Sequence, residues 1–339
     1  MKQKKKRILV LFLCLGLLLT GCGGSGNFRV GTGDKGGTYY KYAEQMSGIL
    51  TKEFKFELKT TAGSAANLRL LQKGFLDLAV VQSDILVQAD KREGDFADND
   101  FANGTHYGAV AGLYTEALQI VVRKDKNIET PADLRGCSIS IGEKESGIRK
   151  NATEMLRMAG ISDNDYMKEE LSISDSVKAM RAGRIDAFFC MAGAPTAAVA
   201  ELAKDMEIRI LSLDEEYIRI VGNLYPYYRE CTIPAGTYTG QTEDIRTIGV
   251  RAVLVASTRL GKDEIRKLTE QVLTHSGELN QSIVTDGELT PPAAVDLVPI
   301  DFHPGAATYL KDQGMDVAVQ NSDGGEALFG GQDDEGGGK

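Results

Sequence analysis

Four short stretches carry residue types able to hold a small anion, and none carries the groups of a catalyst. They are Gly31-Thr-Gly33-Asp-Lys-Gly36-Gly37-Thr38, Thr61-Ala-Gly63-Ser64-Ala-Ala-Asn67, Glu145-Ser146-Gly147-Ile148 and Gly193-Ala-Pro195-Thr196. Each sets glycine beside Ser, Thr or Asn immediately before a helical pattern. Glycine lets backbone N–H groups approach a ligand, hydroxyls and amides add donors, and the helix dipole favours negative charge at its N-terminus. The first stretch also has the spacing GxGxxG. A dinucleotide site needs an acidic partner about twenty residues on, whereas Glu57 falls inside the next strand pattern with Leu58 to Thr61 still ahead of it. A phosphate loop needs Lys before Thr38, where Gly37 stands. No GxSxG occurs. The chain is therefore expected to bind rather than catalyse, with no cofactor.

Magnitudes rank the candidate residues. A helix N-terminus contributes ~0.3 to 1 kcal/mol toward an anion, while micromolar binding needs about 8 kcal/mol. Direct charge-assisted hydrogen bonds, ~1.5 to 3 kcal/mol each, must supply most of the difference. Thr38, Ser64, Asn67, Gln82 and Ser146 are the candidate donors, with backbone at Gly37, Gly147, Ile148 and Gly193. Tyr39 and Tyr114 offer an apolar face with a hydroxyl. Glu116 could accept from a ligand amine, but a solvated edge charge is the more ordinary reading.

These turns need strands and helices to place them. Short apolar runs alternate with helical patterns: Phe28 to Gly31, a helix from Thr38, Phe54 to Thr60, a helix from Ser64, then Asp77 to Gln82. The same order returns with Cys137 to Gly142, a helix from Ser146, a weak strand near Glu170, a helix from Asp175, and Asp186 to Cys190. This β-α-β-α-β order predicts parallel sheets covered by helices, where ligands bind at the strand-to-helix edge. Leu71-Gln-Lys-Gly74-Phe-Leu-Asp77 and Met180-Arg-Ala-Gly183-Arg-Ile-Asp186 form a weak internal repeat. The runs Ala117 to Val122 and Thr247 to Ser257 read as two crossings between two lobes, and a double crossing makes a hinge.

The chain's 339 residues open with Lys2, Lys4, Lys5, Lys6 and Arg7, followed by the apolar run Ile8 to Leu19 and then Thr20-Gly21-Cys22. Twelve apolar residues span only ~18 Å of helix, short of a ~30 Å hydrocarbon core. A cleaved secretory signal with lipidation at Cys22 is expected, anchoring the protein outside the cytoplasmic membrane by lipid alone. Without residues 1–21, which hold five basic and no acidic residues, 34 basic residues face 48 acidic ones, a formal −14. Such a chain is a poor partner for nucleic acid. Cys137, Cys190 and Cys231 have no CxxC spacing, and the three histidines stand far apart, so no metal site is expected. Buried free thiols are favoured over a disulfide.

Taken in order, Gly31-Thr-Gly with Gly36-Gly-Thr-Tyr-Tyr40, Thr61-Ala-Gly-Ser with Asn67, Val81-Gln82-Ser83-Asp84, Leu113-Tyr114-Thr115-Glu116, Asp133-Leu-Arg-Gly136, Gly183-Arg-Ile-Asp186-Ala-Phe-Phe and His303-Pro-Gly-Ala306 resemble the TAXI-type solute receptors of TRAP transporters. The likeness runs from about Phe28 to Met315. It implies an α/β fold of the two-lobed type II periplasmic-binding kind, each lobe a mainly parallel sheet flanked by helices, with the ligand cleft between lobes. It implies capture of a small organic anion or zwitterion, such as the amino or oxo dicarboxylates glutamate and 2-oxoglutarate, and delivery to a TRAP permease. One departure stands out: the lobe-two turn commonly reads Gly-Ser-Gly-Thr in that group, against Glu145-Ser-Gly-Ile148 here. An extra carboxylate beside the pocket would favour a zwitterion or a less charged solute.

The expected organisation is a signal over 1–21, the lipidated cysteine and linker over 22–27, lobe 1 over 28–122, lobe 2 over 123–245, a lobe 1 return over 246–316, and an acidic Gly-rich tail over 317–339. A monomer is expected. A sensor or adhesion lipoprotein on the same fold, or a surface enzyme on a small anion, are the competing readings.

Overall fold

The computed structural model describes residues 27–97, 105–281, 283 and 289–320. The signal, Cys22 and most of the linker lie outside them. The first half builds the expected alternation: β1 (Asn27–Gly31), α1 (Thr38–Ile49), β2 (Lys55–Lys59), α2 (Ser64–Gln72), β3 (Leu78–Gln82) and α3 (Ser83–Asp90). The long strand β4 (Tyr107–Arg123) follows, then β5 (Ser138–Ser140), α4 (Gly147–Met158), β6 (Met167–Glu169), α5 (Ile173–Arg181), β7 (Ala187–Ala192), α6 (Ala197–Asp205), β8 (Ile208–Ile210), α7 (Glu215–Leu224) and β9 (Arg229–Ile233). A second long strand, β10 (Ile245–Ser257), leads to α8 (Lys262–Thr274), α9 (Ser276–Leu279), α10 (Pro291–Val295) and α11 (Pro304–Asp312).

The fold is a two-lobed α/β architecture, with one difference from the expected pair of parallel sheets. The described strands form a single mixed sheet in the order β2-β1-β3-β10-β4-β7-β5-β6, with β8 on β4 and β9 on β10. β1, β2 and β3 run parallel, as do β5, β6 and β7. β4 and β10 run antiparallel to their neighbours and stitch the two parallel parts together. Continuous burial along both long strands explains their length: β4 is almost wholly buried and reads as one apolar run, too long for a single lobe.

Separate cores mark the two halves. Phe28, Leu68, Val80, Leu254, Leu268 and Leu310 belong to one cluster. Leu118, Ile139, Met155 and Phe189 belong to a second, and Val121, Met180, Phe188 and Leu202 to a third, so helices bury both faces of the second half's sheet.

The internal repeat has a structural counterpart. Gly74 and Gly183 both stop a helix at positive φ, +78° and +69°. Asp77 then accepts from Arg29 N at 2.9 Å, and Asp186 from Ser138 N at 3.0 Å. Each aspartate ties the start of one strand to the entry of the next.

The tail begins later than composition suggested. Residues 317–320 are packed rather than free: Phe302 N donates to Ala318 O at 3.0 Å and Gln320 N to Phe302 O at 2.9 Å. Residues 321–339 lie outside the described ones. Cys137 and Cys190 are free thiols, and burial pushes the Cys190 thiol up to about 12. No helix among the described residues is long and apolar enough to cross a membrane.

Candidate functional site

Three helix starts converge because glycines let them. Gly63 caps α2 at φ +128°, and a Cβ there would lie 3.3 Å from Ser146 Cα at the start of α4. A Cβ on Gly147 would overlap the Gln82 side-chain amide. The α1 start is held by its own loop: Asp34 Oδ1 accepts from Gly36 N at 2.8 Å, and Gly37 N donates to Asp34 O at 3.0 Å. Between these starts lies a cavity in which the space open to the centres of water molecules is about 60 Å³, room for on the order of five waters.

Eight expected residues line this cavity: Gly37, Thr38, Tyr39, Ser64, Gln82, Ser146, Gly147 and Ile148. Three do not. Asn67 is a structural strap: its Nδ2 donates to Thr32 O at 3.1 Å and Val80 O at 2.9 Å, and its Oδ1 accepts from Thr61 Oγ1 at 2.7 Å. Tyr114 is buried in packing, its ring against Tyr42 at 5.3 Å between centroids. Gly193 sits against Thr38 and the Tyr114 ring, where a Cβ would come within 3.0 Å and 3.1 Å. Its carbonyl accepts from Thr38 Oγ1 at 2.8 Å, which engages that hydroxyl across the lobes.

The fourth helix start at the cavity is therefore not that of α6. It is the start of α5, whose Leu171, Ser172 and Ile173 join the lining. Ser172 Oγ caps this helix by accepting from Asp175 N at 3.1 Å. Ser146 likewise caps α4, accepting from Arg149 N at 3.1 Å while donating to Glu143 O at 2.7 Å. Its hydroxyl serves the helix, leaving the amides of the first turn to face the cavity.

The carboxylate expected beside the pocket at Glu145 is elsewhere. Glu145 is absent from the lining, and its Oε1 lies 3.0 Å from Arg69 Nε on α2. Ala66 N donates to Glu145 O at 3.1 Å. The turn holds Glu145 at a φ of +61°.

The acidic groups in the lining are others: Asp34, Glu116 and Glu143. Of the two readings of Glu116, a solvated edge charge or an acceptor for a ligand amine, the first does not hold: it is 1% exposed in the middle of β4. Tyr39 Oη donates to Glu116 Oε1 at 2.6 Å and Gln82 Nε2 to Oε2 at 3.3 Å. Burial raises its carboxyl to about 8 despite these two donors. Glu143 is also pushed up, by burial and then by Asp34. Among the described residues lining the cavity none is Lys, Arg or His. The signal for Glu116 was present in the sequence: a lone acid inside a long apolar strand.

Behind the cavity a second set of contacts joins the halves. Lys150 Nζ lies 3.0 Å from Asp84 Oδ2 and 2.9 Å from Glu154 Oε1, and Asn151 Nδ2 donates to Asp84 Oδ2 at 2.9 Å. Ser174 Oγ donates to Asp34 Oδ1 at 2.5 Å. The lobes are therefore closed on each other around a small, acid-lined space. Among the described residues no cluster of His, Cys, Asp and Glu could hold a metal ion.

A family model described as the NMT1-like family matches residues 30–314. Among solved structures the fold is similar to PhnD1 from Prochlorococcus marinus in complex with methylphosphonate, at 13% identity over 78% of this chain and 94% of that one, TM-score 0.50. A protein from Bordetella bronchiseptica RB50 matches at 17% identity over 76% and 75%, TM-score 0.50. The alkanesulfonate-binding protein SsuA from Xanthomonas axonopodis pv. citri, bound to MOPS, matches at 20% identity over 76% and 72%, TM-score 0.45.

Proposed function

The chain belongs to the NMT1-like family, and on that premise we propose that it is an extracytoplasmic receptor that captures one small organic solute between its lobes and hands it to a membrane permease. The observation that carries this reading is the cavity itself. It lies between the two lobes, and the first turns of α1, α2, α4 and α5 all meet it. Amides of a first helical turn have no intrahelical acceptor, so those not already engaged, as the amides of Ala66, Arg149, Ser174 and Asp175 are, can donate to a carboxylate. No nucleophile with an adjacent base stands among the lining residues, which favours binding without turnover.

The ordered motifs shared with TAXI-type receptors support an ion-coupled TRAP permease as the recipient and Cys22 lipidation as the anchor. Tethering would raise the receptor's local concentration at that permease. Ligand contacts are assigned to the first-turn amides near Gly37, Thr38, Gly147 and Ile148, with the side chains of Tyr39, Ser64 and Gln82. Closure follows the hinge logic of two crossing strands. Small-angle scattering with and without a bound solute tests this: compaction on binding supports capture by closure, and an unchanged profile with proven binding removes it.

A further inference from the structure

The cavity gathers acceptors at one end without a matching cation. Both carboxyl oxygens of Glu116 accept, from Tyr39 Oη and Gln82 Nε2. Gln82 Oε1, buried in the same lining, has no hydrogen-bond partner among the described residues. A buried acceptor left unmade costs ~1 to 3 kcal/mol, and Glu116, with no cation beside it, keeps its proton at neutral pH and so avoids the larger cost of a buried charge. Lys150 on α4 is engaged with Asp84 and Glu154, and Arg69 on α2 with Glu145. The missing complement is a compact cationic donor, and it must enter with the solute.

Resting on the receptor reading above, we infer that Glu116, Gln82 and Tyr39 form an ammonium-binding subsite, so that the receptor takes small solutes bearing a protonated amine and rejects dicarboxylates that lack one. Glu116 is the specificity-determining residue. A solute carboxylate faces the helix starts, and its ammonium faces Glu116 and Gln82 Oε1. Asp34 and Glu143 add to the negative field of the lining and oppose a second carboxylate. Space for about five waters also favours a short solute over a long one. Burial, which holds the empty carboxyl near 8, is offset once an ammonium lies beside it, so binding expels a proton in neutral solution.

Matched pairs of solutes test the subsite. Thermal-shift titration of the full protein with each of the twenty L-amino acids, each beside its deaminated acid, and with 2-oxoglutarate and succinate, reads the preference directly. The expected result is binding confined to amine-bearing members, with their deaminated partners weaker by about 100-fold or more, since a site built for a donor leaves its own groups unpaired when the donor is missing. Glu116→Gln should abolish that preference. Calorimetry of the unmodified protein in two buffers of different ionisation enthalpy needs no variant and should report a proton released on binding at pH 7. Deaminated acids binding as tightly as amines, an unaltered preference in Glu116→Gln, or binding without proton release would overturn the subsite while leaving the receptor intact. A panel in which nothing binds would instead count against capture of a small carboxylate, the part of the receptor reading on which the subsite rests.

Discussion

Glu145 Oε1 lies 3.0 Å from Arg69 Nε, which joins the turn before α4 to the middle of α2 across the closed cleft. The backbone reinforces the contact, since Ala66 N donates to Glu145 O at 3.1 Å. Glu145 stands at φ +61°, in the left-handed region where glycine is unstrained. Glutamate at this position gives up backbone ease and gains an ionic tie between lobes.

Glu145→Gly should therefore change opening more than folding. The Glu145 carboxylate is about half exposed, at 48%, so the pair contributes ~1 kcal/mol or less. Glycine relieves left-handed strain of similar size, ~1 kcal/mol. Unfolding midpoints in urea should stay within ~1 kcal/mol of the parent, while stopped-flow release of bound solute quickens. Unchanged release would show that the tie does not hold the cleft.

Lys150→Met should behave in the opposite way. Asp84 is fully buried and the Lys150 side chain only 15% exposed. Burial opposes the ammonium, but Asp84 and then Glu154 outweigh it and hold Lys150 protonated above the ordinary lysine range. Stability from this raised group is present throughout neutral pH and is lost only as pH climbs beyond the usual lysine value. Removing the lysine leaves a buried carboxylate unpaired, at a cost of about 3 to 5 kcal/mol. Denaturant titration at pH 7 should show that loss; a change under 1 kcal/mol would deny the pair its structural role.

Asn67→Ala and Ser64→Ala, similar by motif, should separate. Asn67 holds the buried carbonyls of Thr32 and Val80, so its loss costs about 2 to 4 kcal/mol of stability with ligand contacts intact. Ser64 Oγ meets Tyr39 Oη at 3.1 Å within the lining and accepts from Gln82 N at 3.2 Å. Its loss should weaken solute binding by about 1 to 3 kcal/mol. Melting curves beside calorimetric titrations check both, and equal effects of the two variants on affinity would contradict the division.

Glu116 gives the protein a pH signature. Its folded value, about 8, stands above the unfolded 4.5, so the empty folded state holds a proton that the unfolded state has released. Stability from this group is complete below pH 4.5 and declines as pH rises toward 8. Affinity for an amine should move the other way, rising between pH 6 and 8 as less proton must be expelled. Denaturation and binding series over that range, repeated with Glu116→Gln, should show both slopes in the parent and neither in the variant. Parallel slopes in the two proteins would assign the titration to another group.

The sequence made the alternation of strands and helices legible because short apolar runs and glycine stops are local signals. The glycine-led turns were legible for the same reason. What local signals could not carry was orientation: Asn67 and Ser64 share one helical turn, yet one faces the strand edges and the other the cavity. Tyr114 and Glu116, two residues apart, share one face of β4, and their burial depends on which helices cover that face. The start of α5 reached the cavity in place of α6 because the sheet order, set by the antiparallel strands, decides which turns meet.

Native mass spectrometry of the protein purified without refolding tests the central claim most directly, by weighing any solute it retains. The account predicts one small amine-bearing organic acid per chain, absent from the Glu116→Gln protein. A retained dicarboxylate without nitrogen, or the same solute held equally by the variant, would contradict it.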